Sequence, residues 1–176
     1  MTVRGCVLAA GLTLAFASPA LAEVKTRVVD YKQGDTELQG LIAWDDQSTG
    51  KRPGIIVVHE WWGHNEHART QARRLAEAGY VGFALDMYGK GKVATHPDDA
   101  MKFMGEATKD PAVVKARFDA AVAQLKADPH VDPARIGAIG YCFGGGIVLN
   151  MAAAGEDLKA VGSFHGALSA LGPVAP

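Results

Sequence analysis

The sequence predicts an α/β fold: a mostly parallel sheet with flanking helices and an antiparallel hairpin at the N-terminal end. Segments 25–31 and 37–44 alternate apolar and polar residues on either side of the turn Gln33-Gly34-Asp35, which is typical of a hairpin. The continuous β-branched run 54–59 is typical of a strand buried on both faces of a parallel sheet. Beyond it, helical and strand-like segments alternate, and this order favours parallel pairing through helical crossovers.

The remaining elements follow from periodicity and from breaker residues. We predict strands at 80–85, 136–139 and 158–164, and helices at 65–78, 97–105, 110–127 and 143–154. No linker divides the chain, so residues 23–176 are predicted to form one domain. Because chemistry in such sheets collects at the carboxyl ends of the strands, the candidate functional segments are 59–61, 86–89, Cys142 and 164–166.

Composition excludes several classes of function. The chain has 176 residues, 48% of them hydrophobic and 21% charged, and a net charge of −1. This balance gives no reason to expect a nucleic-acid or anionic-membrane partner. A nucleotide-binding G-x-G-x-x-G reading of the glycine-rich turn would need glycine at position 142, where cysteine stands, so no cofactor is predicted.

The first 22 residues are typical of a secretory signal peptide. A cationic start ending at Arg4 precedes an apolar run over residues 5–17, and Ala20 and Ala22 have the A-x-A spacing of a cleavage site. We expect cleavage between Ala22 and Glu23, export to the periplasm and no membrane association afterwards. An uncleaved membrane anchor is the alternative, although the apolar run is short for a spanning helix. Cleavage would remove the other cysteine, Cys6, and leave Cys142 as the sole thiol.

The segment Gly140-Tyr141-Cys142-Phe143-Gly144 has the G-x-S-x-G spacing of a nucleophile elbow, with a thiol in place of the hydroxyl. In such a turn the nucleophile sits between a strand and the N-terminus of a helix, whose dipole and free N–H groups favour the thiolate. A buried cysteine acting as an inert apolar side chain is the alternative. The spacing favours a nucleophile.

The turn after the first parallel strand supplies further candidates. Glu60 directly follows an apolar strand, so its carboxylate is either a structural hydrogen-bond acceptor or a group acting on the thiol. The backbone N–H groups of Trp61 and Phe143 are placed to form an oxyanion hole. Trp62 is interpreted as pocket lining, with plain core packing as the alternative.

The histidines near this turn invite a metal-site interpretation, which the spacing does not support. His59 and His64 are five residues apart, whereas a zinc-binding helix needs two histidines four residues apart on one face. We therefore predict no metal site, and interpret His64 and His67 as polar residues that open the following helix.

These motifs resemble those of the dienelactone hydrolases, a family of the α/β-hydrolase superfamily, from about Val24 to Leu168. The resemblance rests on 59–63 (HEWWG), 86–88 (DMY) and 140–145 (GYCFGG). It implies a Cys-His-Asp triad that hydrolyses an ester or enol-lactone through an acyl-thioester. It also implies that Glu60 contacts the Cys142 thiol in the resting enzyme. Trp62, Tyr88 and His165 are assigned to the substrate pocket.

Two departures from the family pattern stand out. After Cys142 the chain offers only Asp157 and His165 as acid and base, and neither has the expected position. We therefore expect the triad Asp and His, and the final strands, to be absent from this chain, leaving an exposed sheet edge. Residues 87–116 also contain no arginine to hold a substrate carboxylate, and Lys90 and Lys92 are the cations expected near Tyr88.

The function predicted from the sequence is hydrolysis of a small-molecule ester or lactone by a cysteine nucleophile. The alternative is a catalytically incomplete fragment, or a non-catalytic binding remnant of the same fold.

Overall fold

The computed structural model describes residues 23–168, so the predicted signal peptide at 1–22 and the tail from 169 lie outside the described residues. The strands are β1 (Val24–Gln33), β2 (Thr36–Asp45), β3 (Arg52–Val58), β4 (Val81–Ala84), β5 (Val131–Tyr141) and β6 (Val161–Phe164). The helices are α1 (Glu66–Glu77), α2 (Pro97–Thr108), α3 (Pro111–Ala127) and α4 (Phe143–Ala153).

The described strands form one mixed sheet in the order β1-β2-β4-β3-β5-β6. The hairpin β1–β2 is antiparallel and joins the sheet through an antiparallel pairing of β2 with β4. Strands β4, β3, β5 and β6 are mutually parallel. The predicted fold class and the N-terminal hairpin are therefore confirmed, and the carboxyl ends of four strands meet at one edge of the sheet.

Helices cover both faces of the sheet because the strand residues alternate between them. Ile56 and Val58 of β3 belong to the larger core with side chains of α3 and α4, whereas Val57 packs with the alanines of α1. α1 contributes Ala68, Ala72 and Ala76, all fully buried. Small side chains at this helical spacing let α1 lie close to the sheet.

Several element boundaries differ from the predicted ones. β6 begins at Val161 rather than at 158: the N–H of Leu158 donates to the carbonyl of Glu156 in a turn, and that of Lys159 donates to the carbonyl of Ile136 in β5. β5 begins at Val131, since Val131 and Asp132 pair with β3 ahead of a bulge. α2 continues to Thr108 instead of ending near Gly105. Long-range strand pairing and packing, rather than local turn-forming residues, determine where these elements begin and end.

Among the described residues, no helix is long and apolar enough to cross a membrane.

Candidate active site

Cys142 lies between β5 and α4 with a backbone conformation that side-chain-bearing residues rarely adopt. Its φ is 51° and its ψ is −112°. Such a conformation is strained, and it persists where the surrounding structure enforces it, commonly at functional sites. The Cys142 side chain is free and partly exposed. The structure thus places the thiol at the carboxyl edge of the sheet, open to solvent, as the elbow spacing predicts.

The glycines on either side of Cys142 are required by close backbone contacts. A Cβ atom on Gly140 would lie 2.0 Å from the carbonyl oxygen of Gly144, and one on Gly144 would lie 2.3 Å from that of Val58. Both distances are far below van der Waals contact. The strand-to-helix turn can therefore close only when these two positions carry no side chain.

The N-terminus of α4 supplies unpaired donors beside the sulfur. The first intrahelical bond runs from the N–H of Gly146 to the carbonyl of Cys142, at 3.3 Å. The N–H groups of Phe143, Gly144 and Gly145 precede that bond and have no partner within the helix. Together with the helix dipole, they favour negative charge at this position.

His59 is buried between the two loops that follow β3 and β4. Its Nδ1 lies 2.5 Å from the carbonyl oxygen of Glu60, and its Nε2 accepts the backbone N–H of Met87 at 3.2 Å. This pairing requires the proton on Nδ1, because Nε2 acts as an acceptor. Burial lowers the pKa of His59, so the ring is uncharged at neutral pH. A neutral His59 therefore joins the two loops.

The Glu60 carboxylate is partly buried, with 27% of the side chain exposed, as its place after an apolar strand suggests. Nε2 of His165 lies 3.9 Å from Oε1 of Glu60. His165 follows β6, is 62% exposed in its side chain and has a φ of 47°. The structure therefore brings together Glu60, predicted to act on the thiol, and His165, predicted to line the pocket.

Asp86 organises the loop after β4, a role that sequence reasoning did not identify. Its Oδ1 accepts the backbone N–H groups of Tyr88 at 2.8 Å and Gly89 at 2.9 Å, and its Oδ2 accepts that of Gln39 at 3.3 Å. The hydroxyl of Tyr31 contacts the backbone of Asp86 as well. The available signal was an aspartate directly after a buried strand, a position suited to capping a turn.

Tyr88 is almost fully buried, with 3% of its surface exposed, and its assignment to the substrate pocket stays a prediction. Its hydroxyl donates to the carbonyl of Trp61 at 3.0 Å, and its ring packs against His59 and Phe143. Burial raises the pKa of Tyr88, and the nearby Cys142 raises it further by a smaller amount, so the hydroxyl remains a donor. Trp62 is half-buried and meets Trp61 edge-to-face.

Lys92 lies near Tyr88 as expected, but Lys90 and Lys92 are not the only cations in this region, because Arg117 lines the same cavity. Arg117 on α3 donates to the carbonyl of Met87 at 2.5 Å and lines a cavity of about 40 Å³ together with Tyr88 and Phe103. Arg117 directly follows the segment 87–116, which contains no arginine. A usable signal was its place on the buried stripe of α3, beside Val114 and Phe118.

The interpretation of His64 as a polar residue opening α1 was wrong. The helix begins at Glu66 with Asn65 as its N-cap, and His64 is only 5% exposed. Burial, with smaller contributions from Arg69 and His59, lowers the pKa of His64 to about 3. No group of His, Cys, Asp and Glu residues within 23–168 is arranged to hold a metal ion.

Asp157 lies where the sequence suggests, away from the thiol. It precedes β6 and therefore sits at the amino end of that strand, whereas Cys142 follows the carboxyl end of the parallel β5. The Asp157 carboxylate is exposed and bonds Lys159, which lowers the pKa of that carboxyl. Asp157 is therefore not available as a partner of Cys142.

Comparisons with known proteins agree with this geometry. Residues 38–174 match the model of the dienelactone hydrolase family. "Protein usf" of Aquifex pyrophilus is 34% identical over 136 residues, covering 75% of this chain and 57% of that protein. The solved structure "m3DLH" is 40% identical with a TM-score of 0.79, covering 82% of this chain and 60% of that chain.

A second solved structure, the dienelactone hydrolase-like promiscuous phosphotriesterase P91 from metagenomic libraries, is 38% identical with a TM-score of 0.77. The match covers 81% of this chain and 59% of that one. The chain thus spans somewhat less than two thirds of the length of these relatives. A family-model match over most of the sequence, on a sheet that carries the cysteine elbow, shows that the chain belongs to the dienelactone hydrolase family.

Proposed function

We propose that this protein is a thiol hydrolase that cleaves small-molecule esters or lactones, with Cys142 as the nucleophile. The observation that supports this most directly is the strained backbone of Cys142 at the N-terminus of α4. That conformation presents a partly exposed thiol at the start of a helix whose first N–H groups have no partner within the helix. An inert structural cysteine requires neither the strain nor the donors.

In the proposed reaction the Cys142 thiolate attacks the acyl carbon, and a carbon–sulfur bond forms while the carbonyl π electrons move to oxygen. The N–H groups of Trp61 and Phe143 stabilise that oxyanion. Its collapse breaks the ester carbon–oxygen bond, and the alkoxide takes a proton from water. Water then attacks the thioester, releasing the acid and regenerating the thiol.

The two halves of this reaction make different demands on the chain. Acylation needs the thiolate and the oxyanion donors, and the described residues provide candidates for both. Hydrolysis of the thioester needs a base that activates water. Within residues 23–168, Asp157 lies at the opposite end of the sheet from the thiol, and Nε2 of His165 lies 3.9 Å from the Glu60 carboxylate. We therefore expect fast acylation followed by slow turnover.

An activated ester tests the proposal. Adding p-nitrophenyl acetate to the full chain should release a burst of about one equivalent of p-nitrophenolate, followed by a slow steady rate. Iodoacetamide should alkylate Cys142 faster than it alkylates N-acetylcysteine at pH 7. In the full chain, Cys142→Ala should abolish the burst and the fast alkylation, while Cys6→Ala removes the other thiol as the matched control and should leave both unchanged. Alkylation no faster than that of the free thiol would contradict the activated nucleophile.

The alternative function is a binding remnant of the same fold that performs no acyl transfer. It predicts no burst with the full chain, although the protein is folded. Rapid continuous turnover that depends on Cys142 would contradict both this alternative and the expectation of slow deacylation.

We also propose that the protein is exported to the periplasm after removal of residues 1–22. The support is the order of a cationic start, an apolar run and the A-x-A site in the sequence. Intact mass of the protein purified from its native source should correspond to an N-terminus at Glu23. A retained Met1 would contradict cleavage.

A further inference from the structure

The loop after β4, residues 86–94, lies directly against the turn 60–63 that carries the Trp61 N–H. The N–H of Ala94 donates to the carbonyl of Trp62 at 2.9 Å, and Gly63 forms an antiparallel bridge with Val93. The approach is close, because a Cβ atom on Gly63 would lie 2.6 Å from the carbonyl oxygen of Lys92. With a φ of 94°, Gly63 also adopts a conformation that favours glycine. Loop 86–94 therefore supports the turn along its length.

Tyr88 is the residue of loop 86–94 that contacts both sides of the site. Its hydroxyl donates to the Trp61 carbonyl at 3.0 Å, and its ring centroid lies 5.6 Å from that of Phe143. Phe143 and Trp61 are the two proposed oxyanion donors, and they belong to different strand ends. Tyr88 in turn is held by the carboxylate of Asp86, which accepts its backbone N–H. A chain of contacts thus joins Asp86, through Tyr88, to both donors.

We propose that Tyr88 is a positioning residue that fixes the separation and orientation of the Trp61 and Phe143 N–H donors. This inference rests on the proposed function, because it assigns a role within the same oxyanion hole. Anchoring the Trp61 carbonyl restrains the backbone of the residue whose N–H stabilises the oxyanion. The Tyr88 ring, packed against Phe143, sets the distance to the other donor.

Catalytic donors are sensitive to such restraint. They stabilise an oxyanion when they lie 2.7–3.1 Å from its position, and a displacement on the order of 1 Å can lower a rate by roughly 100-fold. Alkylation of a thiolate by iodoacetamide develops no oxyanion on the attacked carbon, so it does not need these donors. The two reactions of the same sulfur therefore separate donor positioning from thiol reactivity.

The test compares acylation by p-nitrophenyl acetate with alkylation by iodoacetamide in the full chain and in Tyr88→Phe. The variant keeps the ring and removes the hydroxyl. We expect its burst rate to fall about 10-fold, while its alkylation rate stays within about twofold of the original. Tyr80→Phe removes a hydroxyl at an exposed site just before β4 and should leave both rates unchanged.

Gly63→Ala tests the contact between loop 86–94 and the turn 60–63 from the side of the turn, since the added methyl group would press on the Lys92 carbonyl. It too should slow acylation while sparing alkylation, and it decides the matter if Tyr88→Phe does not fold. A Tyr88→Phe protein that acylates at the original rate would overturn the inference and leave the proposed function standing. Absence of a burst in the unmodified chain would contradict both. An equal loss of acylation and alkylation would indicate a general structural role and would likewise overturn the inference.

Discussion

The backbone N–H of Cys142 donates a hydrogen bond to the carbonyl of Phe164 at 2.9 Å. This bond joins the nucleophile's turn to the end of the neighbouring strand. Cys142 and His165, which directly follows Phe164, are the two non-glycine residues within 23–168 that have positive φ values. The strain at the candidate site is therefore concentrated where β5 and β6 end side by side, and it is sustained by their pairing.

The close packing of the elbow predicts opposite effects for two neighbouring glycines of α4. Gly144→Ala should destabilise the protein by about 1–3 kcal/mol, because its Cβ would lie 2.3 Å from the Val58 carbonyl oxygen. Gly146→Ala is the matched control: its nearest neighbour would lie 3.6 Å away, so the helix should gain roughly 0.5–1 kcal/mol. Urea unfolding followed by circular dichroism measures both. Equal effects of the two substitutions would contradict the packing of the elbow.

We expect a large loss of stability when the Asp86 carboxylate is replaced by an amide of the same size. Asp86→Asn should destabilise the protein by about 1.5–3 kcal/mol, since three backbone N–H groups surround the carboxylate and the amide NH₂ would face one of them. Asp35→Asn, at an exposed turn of the hairpin, is the control and should change stability little. Denaturant midpoints with unchanged slopes would establish the difference. Comparable midpoints for the two variants would argue against the role of Asp86.

We expect replacement of Arg117 to lower the stability of the protein because its hydrogen bond is lost, and not only because its charge is removed. Arg117→Met preserves an apolar stem but leaves the Met87 carbonyl without its donor, and should destabilise the protein by about 2 kcal/mol. Lys126→Met removes a positive charge from an exposed site on the same helix and should change the free energy of unfolding by less than about 1 kcal/mol. Thermal or urea unfolding measures both variants. A smaller effect at position 117 than at 126 would be incompatible with this role.

His64 predicts a loss of stability in acid. Its pKa is about 3 in the folded protein, because of burial, and about 6.5 in the unfolded chain. Below pH 6.5 the unfolded state takes up a proton that the folded state does not. The contribution of His64 is therefore complete above that pH and is lost as the pH falls towards 3. Between pH 7 and pH 5 the loss amounts to about 2 kcal/mol.

Replacing His64 by leucine should reduce that part of the acid sensitivity, because leucine does not titrate. His67→Leu, at an exposed position three residues later, should retain the original pH dependence. The measurement is the free energy of unfolding in urea at pH 7, 6 and 5. Parallel pH profiles for the original chain and His64→Leu would show that His64 is not responsible.

The parts of the fold that were predictable depend on local patterns. The hairpin was readable from alternation around Gln33-Gly34-Asp35, and β3 from a continuous β-branched run. The elbow was readable from the glycine spacing around Cys142. Boundaries were less accurate: β5 begins earlier than predicted because Val131 pairs with Arg52, a contact that no local pattern encodes.

The hydrogen bonds within the candidate site could not be predicted from local sequence patterns. Tyr88 reaches Trp61 across 27 positions of the chain, and Arg117 reaches Met87 across 30. An assignment of Tyr88 to the substrate pocket rested on its place at a strand end, whereas its direction and burial follow from the packing of two loops. Similarly, the proximity of Glu60 and His165 required β3 and β6 to end at the same edge of the sheet.

The amino-acid sequence was enough to identify the family, through the resemblance of its motifs, and to predict the succession of strands and helices and the strand-to-helix turn at Cys142, through local spacing and periodicity. The tertiary structure alone decided which side chains support that turn. Neutral His59, the Asp86 carboxylate, the Tyr88 hydroxyl and the Arg117 guanidinium each bind a backbone group that is distant in the sequence. Such bonds depend on the mutual placement of elements, which arises only when the sheet and its helices pack together.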